Sequence, residues 1–111
     1  MKKLSFFLIV FMVSNLSAQY LGQYEKEKIV FETDTLNYRI LKPLNYNPDK
    51  QYPVHLFLHG AGERGNDNES QLVHGAKLFL KKENREQFNS WVIFPQAPKN
   101  DWWGYKDPYK F

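Results

Sequence analysis

The stretch Pro53–Gly65, P-V-H-L-F-L-H-G-A-G-E-R-G, decides how the rest of the chain is read. Val54, Leu56, Phe57 and Leu58 form a short apolar run bounded by Pro53 and Gly60, which reads as a strand. Apolar residues fall on both of its faces, and such a strand belongs in the middle of a parallel sheet covered by helices. The run passes without transition into a loop with glycine at 60, 62 and 65. In open α/β sheets ligands sit beyond the carboxyl ends of the strands, so this loop lies where chemistry is expected. Glycines let the backbone approach a ligand closely and turn several N–H groups toward one point. A carbonyl under nucleophilic attack needs such donors as its oxygen becomes anionic, and losing one typically costs roughly 3–4 kcal/mol.

Upstream, Ile29 and Phe31, then Leu36, Tyr38 and Ile40, alternate with polar neighbours around Thr33-Asp34-Thr35, which predicts an antiparallel hairpin. Pro43 ends it, and residues 45–51 with Asn47-Pro48-Asp49 read as a surface turn. Downstream, residues 66–70 are rich in helix-capping types, with Asn68 or Ser70 as the expected cap. Leu72, Val73, Ala76, Phe79 and Leu80 then share one face of an expected helix from Leu72 to Lys81. Residues 91–94, W-V-I-F, read as a second short strand stopped by Pro95, and the rest of the chain as loop. Hairpin, strand, helix and strand in that order predict an α/β fold in which a hairpin precedes a parallel β-α-β crossover.

The residues Leu58-His59-Gly60-Ala61-Gly62-Glu63-Arg64-Gly65 resemble the oxyanion-hole loop of the α/β-hydrolase superfamily. The resemblance is to its serine esterases and peptidases akin to phospholipase/carboxylesterase and dienelactone hydrolase. It runs from Lys28 to Trp103 and includes the approach Tyr46–Pro53. It implies that the Ala61 N–H is one of two oxyanion donors, with Gly60 and Gly62 shaping the turn. It also implies a carboxylic ester or peptide substrate, hydrolysed by an acyl-enzyme route without a cofactor. In this superfamily the nucleophile lies in G-x-S-x-G, followed by an acid and a histidine. The sequence holds no such motif, Ser70 and Ser90 lack flanking glycines, and all three histidines precede the place of the catalytic one. The chain therefore reads as the N-terminal half of an α/β-hydrolase sheet that stops before its nucleophile, without turnover of its own. In that reading the next strand would pair with residues 54–58, so the segment should present an unpaired apolar edge.

Around the turn, His59 is read as shaping the site, and Glu63 and Arg64 as pinning the loop, with substrate contact the alternative for both charges. Trp102 and Trp103 read either as an apolar wall beside the site or as cover for the sheet. His55 is read as a sheet-face residue and His74 as solvated. A metal site on His55 and His59 is excluded because four strand residues span roughly 13 Å.

The first residues, Met1-Lys2-Lys3, an apolar core from Leu4 to Val13 and a small-residue exit at Ala18, have the build of a cleavable signal peptide. The core is too short to span a bilayer, which takes roughly 20 residues. Residues 19–111 are then expected as one exported, periplasmic or secreted domain without a stable membrane anchor. The net charge of +3 includes Lys2 and Lys3, and no later basic cluster suggests nucleic acid. The absence of cysteine rules out disulfides and a lipidated cysteine. Two competing readings are a secreted, all-β carbohydrate-binding module stacking sugars on Trp102, Trp103 and Tyr105, and a gene fragment without function.

Overall fold

A computed structural model describes residues 21–104. The signal peptide expected over residues 1–18, and Tyr105 and Tyr109 of the tail, lie outside the described residues.

Four strands, β1 (Glu25–Phe31), β2 (Asp34–Leu41), β3 (Val54–Leu56) and β4 (Trp91–Gln96), form one mixed sheet in the order β1-β2-β4-β3. β1 and β2 make the expected hairpin, but the register pairs Phe31 with Asp34, so the turn is the two residues Glu32-Thr33. Glu32 carries the positive φ of 52° that a loop this tight requires at its first position. β4 lies antiparallel to β2 and parallel to β3. The fold is thus α/β, as the order of elements predicts, and differs from the all-β build of a binding module.

β4 does not stop at Pro95; it continues to Gln96, with Pro95 opposite Tyr38. Trp91 donates to Pro53 O and Ile93 accepts from Phe57 N, so alternate β4 residues address β3. Pro95 falls on that side, beyond the end of β3 at Leu56, where its missing N–H interrupts no ladder.

One face of the sheet is covered. Register sets Leu41 beside Val92 and Arg39 beside Phe94, and Phe57 stacks on Phe94 with ring centroids 4.7 Å apart. Leu72, Ala76 and Leu80 close over this face, with Tyr24 edge-on to Phe94 at 5.4 Å. Burying each such large side chain stabilises the fold by roughly 1.5–3 kcal/mol. Tyr24 also donates its hydroxyl to Ala76 O at 2.8 Å, which lets a phenol sit fully inside. The other face is open among the described residues: Val54, Leu56 and Leu58 are 60%, 61% and 49% exposed. β3 is an edge strand here, with only His55, Phe57 and His59 turned inward, so the expectation of a strand covered on both faces is not met by residues 21–104. The unpaired apolar edge is present.

The crossover from β3 to β4 holds short helical pieces in place of one helix from Leu72 to Lys81. A 3-10 turn (Ser70–Leu72) is followed by α1 (Ala76–Leu80) and α2 (Lys82–Gln87). Gly75 at φ 83° breaks the first junction, and Lys81 with ψ 131° breaks the second. Val73, expected on the buried face, is exposed because the break rotates it out of phase. Leu72, Ala76 and Leu80 keep their places in the core.

Gly75 also permits a close approach. A Cβ built there would lie 2.8 Å from two ring carbons of Phe57, at a backbone angle that side chains rarely adopt. Gly75→Ala should therefore lower stability by roughly 1–3 kcal/mol, read as a drop in the urea midpoint; an unchanged midpoint would mean that neither the angle nor the ring contact constrains the position.

Candidate functional site

β3 and β4 run parallel, so the loops leaving their carboxyl ends meet at one end of the sheet. The first loop carries His59-Gly60 into a 3-10 turn, Ala61–Glu63. The second runs from Ala97 to Trp103. Gly65 N donates to Ala97 O at 2.9 Å and Trp103 Nε1 to His59 O at 3.0 Å, tying the two together. Between them lies a small, mostly apolar cleft of about 30 Å³, lined by His59, Gly60, Ala61, Arg64 and both tryptophans.

His59 is buried, and both ring nitrogens are spent. Ala97 N–H donates to Nε2 at 3.0 Å, so Nε2 carries no hydrogen. Nδ1 lies 2.6 Å from Gly60 O, which requires the hydrogen there. These two bonds assign a neutral imidazole with the proton on Nδ1. The Trp103 ring packs edge-on to it at 5.0 Å. A ring held this way brackets the turn and has no free nitrogen for proton transfer.

The turn leaves N–H groups unspent. Glu63 N donates back to Gly60 O at 3.3 Å, whereas no acceptor among the described residues takes the N–H of Ala61 or Gly62. Gly60 has φ −79° and ψ −179°, extended backbone open to any residue. A Cβ at Gly62 would meet nothing within 4 Å. The left-handed angle expected of these glycines is found only at Gly65, φ 150°. What glycine supplies at 62 is open space around the turn, not a special backbone angle.

Glu63 and Arg64 part ways. Arg64 Nε donates to Ala61 O at 2.9 Å and Nη1 to Asp101 O at 3.4 Å, while its guanidinium lies 4.1 Å over the Trp102 ring. The Glu63 carboxylate spans two neighbours, with Oε1 3.3 Å from His74 Nε2 and Oε2 over Gly60, 3.2 Å from where a Cβ there would lie, while its carbonyl is tied to the sheet through Gln96. The tryptophans also divide: Trp103 is anchored through its indole N–H, and Trp102 stays 57% exposed.

Sequence reasoning missed the polar cluster beneath the loop. Gln96, at the end of β4, gives Nε2 to Glu63 O at 3.0 Å and to Asp67 Oδ1 at 2.7 Å, and its Oε1 accepts Asn68 N–H at 2.8 Å. Asn68 bonds Glu27 O and Tyr38 O across the hairpin and accepts from Gln71, and Arg39 Nη1 reaches Asn68 O at 3.1 Å. Arg39 Nε and Gln71 Oε1 are left without partners. The cap position of the Ser70–Leu72 turn is held by Glu69, neither Asn68 nor Ser70, without a capping bond from its side chain, and Asp67 Oδ1 accepts the N–H of Glu69 and Ser70 instead. The run Asn66–Ser70 was the available signal, since five polar residues exceed what one cap needs.

A second cleft, about 170 Å³, lies at the opposite end of β3 and β4, lined by Leu41, Phe79, Phe88 and Val92 with His55 and Ser90. His55 Nδ1 and Ser90 Oγ are 2.8 Å apart, but Ser90 is buried and precedes the amino end of β4. Size favours this cleft and chemistry the smaller one, where the unspent backbone donors stand.

No protein-family model matches the sequence, and no curated protein matches it. Among solved structures the chain is similar to a thermostable esterase, 32% identical over 76% of this chain and 24% of that one, with a TM-score of 0.69. The described sheet is part of an esterase-like α/β-hydrolase fold. The chain spans about a quarter of the length of that esterase.

Hydrogen bonds from the Ser70 hydroxyl first, then from the Ser70 and Glu69 N–H groups and Gln96, hold the Asp67 carboxyl well below the usual carboxylate range. A lowered folded-state value means that the ionised form favours the fold. Its contribution is complete above the unfolded value near ~4 and fades as pH falls toward the folded one. Asp67→Asn should thus be less stable than the parent at pH 7, with the gap shrinking below about pH 4. Urea midpoints measured at pH 7 and pH 3 check this, and a gap constant with pH would contradict it.

Proposed function

We propose that this chain carries the oxyanion-binding turn of a serine hydrolase that cleaves carboxylic esters or peptide bonds through an acyl-enzyme, with the Ala61 N–H as one of two donors. The observation that carries this reading is an unspent backbone N–H, braced by its neighbours, on a residue that lines a cleft at the carboxyl ends of two parallel strands. The likeness to a thermostable esterase supports it.

In the reaction a hydroxyl oxygen attacks the carbonyl carbon of a small-molecule ester or peptide, and the carbonyl oxygen takes up negative charge. The Ala61 N–H is fixed before the charge appears, so stabilising it costs no reorganisation. Collapse of the adduct expels the alcohol or amine and leaves the acyl group on the hydroxyl oxygen, for water to remove. No cofactor enters these steps.

In this reading no described residue is taken as nucleophile or base. Ser70 donates its hydroxyl to Asp67, Ser90 sits at the wrong end of the sheet, and His59 has no nitrogen free. This chain by itself is therefore proposed to lack turnover. Residues 1–18 are proposed to direct export and to be removed.

Three outcomes are expected. Purified chain should not hydrolyse a p-nitrophenyl ester, and measurable hydrolysis would place a complete catalytic set inside these residues. In a chimera carrying this segment in place of the matching part of the thermostable esterase, Ala61→Pro should cut kcat by about 10²–10³. Ala61 opens the 3-10 turn and follows an extended residue, so proline fits there and removes little but the N–H; an unimpaired chimera would refute the assignment. N-terminal sequencing of exported protein should begin at Gln19, and retention of Met1 would end the export proposal.

A further inference from the structure

Arg64 carries a charge that no carboxylate among the described residues pairs with: the Lys–carboxylate ion pairs join Lys26 to Glu69, Lys42 to Glu25 and Lys82 to Glu86, and the adjacent Glu63 contacts the His74 ring. Asp101, whose carbonyl Arg64 reaches, accepts the Trp102 N–H on Oδ1. Three contacts fix the plane of its guanidinium: Nε to Ala61 O, Nη1 to Asp101 O, and the face of Trp102 4.1 Å away. Of the five N–H donors of an arginine, both on Nη2 and one on Nη1 then find no acceptor among the described residues. Arg64 lines the same cleft as Ala61. A guanidinium whose plane is already set loses little freedom on binding, and its free edge matches a planar, two-oxygen acceptor.

We propose that Arg64 recognises a carboxylate of the substrate, so that the site prefers esters whose acyl part bears a second, free carboxylate over neutral esters. The ester half of this statement rests on the hydrolase reading; the carboxylate half rests on Arg64 alone. In binding, the pinned guanidinium accepts the carboxylate edge-on, and the scissile carbonyl is drawn toward the turn that carries the Ala61 N–H. Trp102 holds the other side of the cation by its ring face, an attraction that strengthens as water is excluded.

Binding can be followed on the chain itself by ¹⁵N NMR of the Arg64 side chain and the Ala61 amide, with monomethyl succinate, dimethyl succinate and acetate as probes. Monomethyl succinate should bind at least about tenfold tighter than either of the others, since a charge-assisted contact is worth that much or more. Arg64→Met should abolish the preference and Arg64→Lys restore part of it, with the amide spectrum checking that each variant is folded. Should Arg64→Met not fold, the parent decides: raising salt from about 20 to about 500 mM should weaken the monoester and leave the diester unchanged. Equal affinities for the two esters, acetate binding as tightly as the monoester, or a preference indifferent to Arg64→Met or to salt would each overturn the proposal. If the Ala61 amide shifts equally with both esters and without regard to Arg64, carboxylate recognition fails and the oxyanion reading stands. If the preference depends on Arg64 while the Ala61 amide never moves, Arg64 keeps its role and the oxyanion reading falls.

Discussion

The side-chain amide of Gln96 holds the loop between the Ala61–Glu63 and Ser70–Leu72 turns against the sheet. Its nitrogen bonds Glu63 O and Asp67 Oδ1, and its oxygen takes Asn68 N–H, so one residue at the end of β4 grips three points of a segment 28 to 33 positions earlier in the chain. Gln96 is 2% exposed, and a buried amide group must satisfy its polar atoms or cost about 1–3 kcal/mol for each one left bare. That requirement fixes where residues 63–68 can lie. Asn68 extends the constraint to the hairpin through Glu27 O and Tyr38 O, which locks β1 and β2 into the same arrangement.

A second bracket works from the other side of the turn. His59 joins Gly60 O to Ala97 N, Trp103 reaches back to His59 O, and Arg64 ties Ala61 O to Asp101 O. Carbonyls on both sides of the Ala61 N–H are thus occupied, so the peptide groups of the turn cannot flip to spend that N–H internally. A donor kept waiting in this way is the opposite of what burial alone favours, since most backbone groups find partners. The constraint explains how a short 3-10 turn, too small to hold its shape by its own hydrogen bonds, presents a fixed direction.

Much of this was legible in the residues. The alternation of Leu36, Tyr38 and Ile40 gave the hairpin, and the two short apolar runs gave the parallel pair, because side-chain periodicity reports strands directly. The strand's abrupt passage into glycines marked a turn, and the chain does turn there, at Ala61–Glu63. The helix from Leu72 to Lys81 was misread where two local angles, at Gly75 and Lys81, overrode the periodic pattern. Tyr24 sat in a polar stretch, and nothing nearby announced that its hydroxyl would find Ala76 O. The network of Gln96, Asn68, Gln71 and Arg39 was invisible for a general reason. Polar residues signal solvent when taken singly, and only the partners, up to 41 positions away, reverse that meaning.

The two faces of β3 show how the segment divides its tasks. His55, Phe57 and His59 point inward and are used in turn by Ser90, by Phe94 and by the Gly60–Ala97 bracket. Val54, Leu56 and Leu58 point outward and touch little that is described. A twofold period separates the two sets, so whatever covers the outward row can change without moving the inward one. The contacts that orient the Ala61 peptide come from His59 of the inward set, from Glu63 and Arg64 in the turn itself, and from the loop after β4. The orientation of that peptide is consequently set inside this segment, while the outward apolar face of β3 is open among the described residues and its backbone edge is free to take another strand.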